Sequence, residues 1–216
     1  MPTKPKRKSL HSKAKSLGKS PRREIADKAV RLMEDKGFAA VSVQHLADAL
    51  EFSKANFYHH IDSKENLLHE IFVDTLQFSL GNLEDILGRE DPIPQRLRSL
   101  VEFYVSMMIE RRAVMLVWFK ERAHLTPAHL KEVTQLEQQI GAKLEEFYAQ
   151  GIAEGYFKPL QTDVIRIAVF GMCFMLTKLS RANRGSVASI TRQLQDLVTT
   201  GLLSSEGLAS PSQGAY

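Results

Sequence analysis

The sequence of 216 residues has a single cysteine, one tryptophan and no long apolar run. Because Cys173 has no second cysteine to pair with, the fold depends on its hydrophobic core, and a reducing compartment, the cytoplasm, is the expected location. The longest apolar stretch, residues 167–176, spans ten residues, whereas a membrane-spanning helix needs about 20. No apolar stretch follows the basic N-terminus as it would in a signal peptide. We therefore expect a cytoplasmic protein without a membrane segment.

The motifs of the common enzyme classes are also missing. The sequence has no glycine-rich phosphate loop, no Cys-x-x-Cys pair, no His-Glu-x-x-His zinc motif and no nucleophile elbow. The seven histidines are scattered, and the adjacent pair His59-His60 does not suit a metal site, because neighbouring residues point to different sides of a helix. We expect no catalytic residues, no metal site, no cofactor and no enzymatic activity.

Positive charge is concentrated at the N-terminal end. Residues 1–23 hold nine lysines and arginines and no acidic residue, so the rest of the chain sums to −5 against an overall charge of +4. Residues 1–19 have few large apolar side chains, and we predict that they are disordered when free. Such a tail either adds salt-dependent affinity for DNA or only aids solubility, and its composition does not decide between the two.

Helical periodicity dominates the remaining sequence. Ser20-Pro21 supplies a helix start, with a capping serine and a proline in the first turn, and Gly37 closes this first segment. From residue 63 onward the pattern is helical, and no stretch alternates as a strand would. The helical pattern is broken at 88–94, 126–127, 155–159 and 183–186.

This pattern predicts an all-α fold with two helical units between two tails. A basic tail (1–19) precedes a three-helix, helix-turn-helix domain (20–65). A larger helical domain for ligand binding and dimerisation (66–203) follows, and then a frayed tail (204–216). The ranges follow from the composition shifts and helix breaks of the sequence.

Residues 42–60 have the features of a helix-turn-helix. Ser42 can cap one short helix and Ser53 a second, with a three-residue turn between them and the small Ala47 at the helix crossing. Glu51 occupies the turn position that favours glycine, because a residue there adopts a left-handed backbone, at a cost of roughly 1–2 kcal/mol. The second helix presents a polar face that fits a DNA major groove about 12 Å wide.

The polar residues of this segment are the candidate DNA contacts. Asn56 suits a bidentate pair with adenine, and Lys54 suits guanine or a phosphate. Tyr58 and His59 are expected beside the DNA backbone, although packing within the small domain is an alternative for them. The candidate set is Ser42, Ser53, Lys54, Ala55, Asn56, Tyr58, His59 and Lys64.

Several short motifs follow one another across residues 20–70. They are Arg23-Glu24-Ile25, Gly37-Phe38, Ser42-Val43, Leu46-Ala47, Ser53-Lys54, Phe57-Tyr58-His59-His60 and Asp62-Ser63-Lys64-Glu65-Asn66-Leu67-Leu68. Together they resemble the N-terminal signature of tetracycline-repressor-type regulators, most specifically over residues 57–68. The resemblance implies an all-helical homodimer whose two recognition helices bind a palindromic double-stranded operator and whose release is triggered by a small ligand.

The larger unit is rich in residues that can line an adaptable apolar pocket. Five of the seven methionines lie in it among aromatic side chains, and methionine suits irregular pockets. Ordinary core packing is the alternative for each of these residues. The candidate ligand-binding set is Phe103, Met107, Trp118, Phe119, Arg122, Phe147, Phe170 and Phe174.

Residues 110–203 resemble, more loosely, the C-terminal domain of regulators that sense acyl-CoA esters in fatty-acid and sterol breakdown. The similarity lies in segments 119–127, 147–157 and 163–172, and it implies a small apolar or acyl-CoA-like effector. Arg122, Lys178, Arg181 and Arg184 are either cations for a phosphorylated head group or solvated surface residues.

Two apolar helices near 162–181 and 187–203 are the expected homodimer interface. Their apolar residues repeat at helical spacing, and burial within the same subunit is the alternative. The repeating residues are Ile165, Ala168, Val169, Met172, Ile190, Leu194, Leu197 and Val198.

The function expected from these features is that of a ligand-responsive, sequence-specific DNA-binding transcriptional regulator, most simply a repressor. A nucleic-acid-binding protein that responds to no ligand is the alternative.

Overall fold

The computed structural model describes residues 21–179 and 186–209. Over these ranges it has ten α-helices, 3₁₀ turns at Arg122–His124 and Met175–Lys178, and no strand beyond one isolated antiparallel bridge between Phe157 and Leu203. The all-α prediction is confirmed. The predictions for residues 1–19 and 210–216 fall outside the described ranges. The helices are α1 (Pro21–Lys36), α2 (Val43–Ala49), α3 (Lys54–His60), α4 (Lys64–Leu87), α5 (Ile93–Glu110), α6 (Arg112–Glu121), α7 (Pro127–Ala153), α8 (Thr162–Phe174), α9 (Val187–Leu202) and α10 (Ser205–Ala209).

Most helix ends follow from local chemistry. Gly37 ends α1 with a left-handed backbone (φ 79°), and its amide donates to the Met33 carbonyl at 2.9 Å. The hydroxyls of Ser63 and Thr126 cap α4 and α7 by accepting from amides three residues on, at 2.9 and 3.3 Å. Because these signals are local in sequence, the breaks predicted near them agree with the structure.

One helix break has no local signal. Helix α5 ends at Glu110 and α6 begins at Arg112, and the intervening Arg111 leaves helical geometry (φ −107°, ψ 25°). The Arg111 guanidinium lies 3.9 Å from the centre of the Phe78 ring on α4. No glycine or proline marks this position, so the break depends on contacts between helices that a local pattern does not contain.

Two apolar cores lie along α4, whose 24 residues span about 36 Å. The first core joins α1, α2, α3 and the N-terminal half of α4. It is completed by Trp118 of α6, by Leu125 before α7 and by Val133 of α7. The second core joins the C-terminal half of α4 with α5, α7, α8 and α9. The core of the predicted helix-turn-helix domain is therefore completed by residues far beyond position 65.

Residues 204–209, placed in a frayed tail by the sequence, form part of the fold. The Ser204 amide donates to the Tyr156 carbonyl at 2.9 Å, and the Ser204 hydroxyl donates to the Gly155 carbonyl. A Cβ on Gly207 would lie 2.3 Å from the Tyr156 carbonyl oxygen, so only glycine permits this approach. These contacts pin α10 to the α7–α8 connection. Among the helices of the described ranges, none is long and apolar enough to cross a membrane.

Candidate DNA interface and effector domain

Helix α2 is fixed by a reciprocal cap. The Ser42 hydroxyl accepts from the His45 amide at 3.1 Å, and the Ser42 amide donates to His45 Nδ1 at 3.2 Å. Histidine thus takes the place that glutamate or glutamine holds in the usual capping box. Leu46 and Ala47 are on the fully buried side of this helix, so the small residue predicted for the helix crossing faces the core.

The turn after α2 has the strained residue that the sequence predicts. Glu51 has φ 57°, the one positive φ among the non-glycine residues described. The Phe52 amide reaches back to the Ala47 carbonyl at 2.9 Å, and the Glu51 amide donates to the Asp48 carbonyl at 3.2 Å. The left-handed residue lets the chain reverse within three residues, which sets α3 across α2.

Helix α3 divides cleanly into a buried side and an exposed side. Phe57 is fully buried and Ile61, just beyond the helix, nearly so. The Ser53 hydroxyl caps the helix by accepting from the Asn56 amide at 3.1 Å. All the predicted contacts on α3 are exposed, so a major groove can reach them: Lys54, Ala55, Asn56, Tyr58 and His59.

Lys64, also predicted to contact DNA, already has partners within the protein. Its ammonium donates to the carbonyls of Phe38 and Val41 at 2.9 and 2.8 Å, and lies 4.1 Å from the centre of the Phe38 ring. Lys64 therefore ties the α1–α2 loop to the start of α4. One ammonium hydrogen remains for a phosphate, so its DNA contact stays a prediction.

Four of the eight predicted effector residues lie in one row. Phe103, Phe170, Phe174 and Phe119 follow one another through ring contacts, with 4.1 Å between the Phe119 and Phe174 centres and Tyr104 linking Phe103 to Phe170. This aromatic row runs from α5 across α8 to α6.

The remaining four residues lie elsewhere. Met107 is buried beside Ser79, whose hydroxyl is 3.3 Å from the Met107 sulfur. Phe147 packs against Phe157 and borders an open cleft of about 290 Å³ between α4, α5 and α7. Trp118 belongs to the first core.

Arg122, beside Trp118, is paired with Glu137 and Thr134. Its charge is therefore committed to α7, and the structure does not bring it to the aromatic row. The sequence-based set missed Tyr104 and Tyr148, two buried tyrosines of the second core.

Helices α8 and α9 have one apolar face inside the subunit and another outside. Ile165 and Val169 are buried in the second core. For these two residues the structure therefore agrees with burial within the subunit, which was the alternative to a dimer contact. On the opposite side of α8, Ile167 is 64% exposed, and Leu197 on α9 is 59% exposed. The exposed apolar face, here called the α8–α9 face, consists of Val164, Ile167, Ala168, Met175, Val187 and Leu197.

Arg112 connects the two units. Its guanidinium pairs with Glu34 of α1 and donates from Nε to the Thr177 carbonyl at 2.7 Å, in the 3₁₀ turn after α8. A second link runs from Arg22 to Glu70 of α4 at 3.0 Å. No group of histidine, cysteine or acidic residues in the described ranges is arranged to hold a metal ion.

Comparison with known families matches both parts of the chain. Residues 25–71 match the family described as bacterial regulatory proteins, tetR family, and residues 90–202 match the tetracyclin repressor-like C-terminal domain. A curated relative, the HTH-type transcriptional repressor KstR2 of Mycolicibacterium smegmatis, is 24% identical over 148 residues, which cover 68% of this chain and 72% of the relative.

Solved structures with the same fold include two regulators. The ketosteroid transcriptional regulator KstR2 of Mycobacterium tuberculosis superposes with a TM-score of 0.78 at 21% identity, covering 87% of this chain and 97% of that one. AibR, solved in complex with isovaleryl coenzyme A and operator DNA, superposes with a TM-score of 0.72 at 23% identity, covering 82% and 96%. At these identities the two superpositions establish the shared fold.

Proposed function

The chain belongs to the tetracycline-repressor family of transcriptional regulators, and from this premise we propose that it is a repressor that binds a palindromic operator as a homodimer and releases it on binding a small apolar or acyl-CoA-like effector. The observation that carries the proposal is the exposed polar side of α3, held on a helix-turn-helix whose core is completed by the effector domain (residues 66–203). Such a regulator is not an enzyme, and it works where the chromosome is, in the cytoplasm.

In the proposed complex α3 enters the major groove. Asn56 and Lys54 lie in its first turn, where base edges are within reach, and Tyr58 and His59 flank them toward the DNA backbone. The hydroxyls of Ser42 and Ser53 accept hydrogen bonds as helix caps and each keeps a proton to donate to a phosphate.

Dimerisation is proposed through the α8–α9 face. Its exposed apolar side chains lie on two neighbouring helices, and a Cβ on Gly171 would meet no atom within 4 Å, so the surface is open to a close helix–helix approach. Two such helices from each subunit form a four-helix bundle. The recognition helices of a dimer then lie about 34 Å apart, one turn of DNA.

The effector is proposed to bind in the second core along the aromatic row. AibR has been solved with isovaleryl coenzyme A, and an acyl chain fits the apolar character of this row. A ligand between α5 and α8 would displace Thr177 or α6, and Arg112 would pass the displacement to α1. Operator affinity falls because the two α3 helices change their spacing, and by linkage the operator weakens effector binding by the same factor.

The test is selection of bound sequences from random duplex DNA by the purified protein, with and without a panel of acyl-CoA esters. We expect a palindromic consensus that is lost when one ester is added. A palindrome that no ester affects would retain the DNA-binding regulator and reject the acyl-CoA class, whereas binding without any consensus would favour the ligand-independent alternative.

A further inference from the structure

We propose that the hydroxyls of Tyr104 and Tyr148, with the Cys173 thiol beside them, form a polar contact inside the effector domain that binds a neutral oxygen of the effector, a ketone carbonyl or a hydroxyl. This inference rests on the proposed function, because it specifies the chemistry of the effector. The three groups are here called the tyrosine pair and its cysteine.

The tyrosine pair and its cysteine come from three helices and meet in the second core. Tyr104 of α5 is 4% exposed, Tyr148 of α7 is 1% exposed and Cys173 of α8 is fully buried. The Tyr104 ring packs edge-on against Phe170, with 5.5 Å between the ring centres. Tyr104 therefore adjoins the aromatic row in which the effector is proposed to bind, while Tyr148 packs against Phe147 and Phe157 in the same core.

Neither tyrosine hydroxyl has a hydrogen-bond partner among the described residues, although tyrosine hydroxyls normally have one when buried. In the described ranges, three side-chain atoms are fully enclosed and lack a hydrogen-bond partner: Gln95 Nε2, Arg96 Nε and His129 Nδ1. The two tyrosine hydroxyls are not among these enclosed atoms. Each hydroxyl therefore borders space that a small molecule or water can enter. Hydroxyl donors left open in an apolar core are what a ligand oxygen requires.

Electrostatics selects a neutral partner. Burial raises the pKa of both tyrosines well above the usual value, and the neighbouring Cys173 raises it further, as does Tyr104 in the case of Tyr148. Burial also raises the pKa of the Cys173 thiol to about 12. All three groups therefore stay protonated near neutral pH.

The nearest compensating charge is poorly placed for an anion. Arg166 acts to lower the pKa of both tyrosines, but it is partly exposed and pairs with Asp163 at 2.9 Å. A carboxylate or phosphate at the tyrosine pair would lose its hydration without gaining a cation. A carbonyl or hydroxyl accepts from the phenols without that penalty.

The first experiment compares two ligands that differ in one oxygen. Dodecanoyl-coenzyme A and the same ester with a keto group in the middle of its chain are titrated calorimetrically into wild type, Tyr104→Phe and Tyr148→Phe. We expect wild type to prefer the keto ester, and each variant to lose roughly five- to tenfold of that preference, since one neutral hydrogen bond is removed. Tyr156→Phe is the matched control, because Tyr156 is partly buried at the second core but is not one of the tyrosine pair. This variant should keep the wild-type preference.

The variants also test the unliganded state. Because no hydrogen bond is lost, Tyr104→Phe and Tyr148→Phe should keep the wild-type Tm and operator affinity. A large fall in Tm would mean that the hydroxyls have structural partners, and it would overturn the proposal. An equal preference for both esters in wild type would overturn it as well.

A second experiment does not depend on the acyl-CoA assignment. The protein is labelled with 3-fluorotyrosine, its fluorine signals are assigned with the Phe variants, and cyclohexanone or toluene is added. We expect the signals of Tyr104 and Tyr148 to shift with cyclohexanone and much less with toluene, while Tyr58 stays unchanged. If operator binding is normal but neither buried signal responds to the ketone, the polar contact is rejected and the proposed regulator function is kept. If the buried signals respond to the ketone but the protein binds no operator, the polar contact is kept and the proposed regulator function is rejected.

Discussion

Replacement of Arg112 by methionine tests whether the link between the two units transmits the effector signal. Methionine keeps most of the apolar stem and removes the guanidinium, so the pair with Glu34 and the hydrogen bond to the Thr177 carbonyl are both lost. Thr177 lies in the 3₁₀ turn that follows α8, and Glu34 lies on α1. No other change of a single side chain in the described ranges removes both of these contacts.

The size of the effect follows from the burial of the pair. The Arg112 side chain is 36% exposed and that of Glu34 is 24% exposed, so the pair lies between a surface ion pair, worth about 0–1 kcal/mol, and a buried charged hydrogen bond, worth about 1.5–3 kcal/mol. We expect Arg112→Met to lower the free energy of unfolding by about 1–2 kcal/mol. A double-mutant cycle with Glu34→Gln should give a coupling free energy of about 1 kcal/mol.

The functional assay measures operator affinity by fluorescence anisotropy with and without saturating effector. The ratio of the two affinities should fall about five- to tenfold in Arg112→Met, because the link between α8 and α1 is broken. Arg98→Met is the control, since Arg98 pairs with Asp196 at 3.3 Å within the effector domain. An unchanged ratio in Arg112→Met, with the expected loss of stability, would falsify the role of Arg112 in transmission.

Further changes test the turn, the groove contact, the dimer and the thiol. Glu51→Gly should raise Tm by about 2–4 °C in thermal denaturation, because the left-handed residue is relieved of about 1 kcal/mol; an unchanged Tm would contradict the strain. Asn56→Ala should weaken operator binding by about 1–3 kcal/mol and reduce the sequence preference at one base pair in a sequence selection. If that preference is retained, Asn56 does not read this base pair. Ile167→Asp should yield monomers in sedimentation, whereas Leu130→Asp on α7 should not; a dimeric Ile167→Asp would move the interface elsewhere. Cys173, whose thiol pKa is raised to about 12 by burial, should react with a thiol reagent at pH 8 only on unfolding, and rapid native reaction would refute its burial.

The helix-turn-helix was predictable because its determinants are close in sequence. Ser42 and Ser53 cap helices that begin at the next residue, and the hydroxyl of each accepts from an amide three positions on. Glu51 was assigned a left-handed backbone from its place in a short turn, and its φ of 57° confirms this. Such features depend on a few covalently linked residues, so sequence spacing determines their geometry.

The effector residues were harder to predict because their neighbours are distant in sequence. Trp118 and Phe119 are adjacent on α6, yet Trp118 contacts Phe72 in the first core and Phe119 contacts Phe174 of α8. An aromatic-rich pattern does not distinguish these two sides of one helix. The sequence-based set lacks Tyr104 and Tyr148 for the same reason, because only the packing of helices α5, α7 and α8 places them in one core.

Helix α6 contributes Met115 to the second core and Trp118 to the first, and it therefore connects the helix-turn-helix to the larger helical domain. Trp118 completes the core beneath the helix-turn-helix, and Phe119, one residue on, lies at the end of the aromatic row. Closely packed interiors do not deform continuously, so a ligand that shifts the backbone of α6 at the half-exposed Phe119 is expected to move the buried Trp118 with it. Because Trp118 packs on Phe72 of α4 at 4.7 Å between ring centres, the movement reaches the helix that fixes the position of α3. We therefore expect sensing and DNA binding to be coupled through α6, and Arg112 at the start of the same helix adds a second connection to α1.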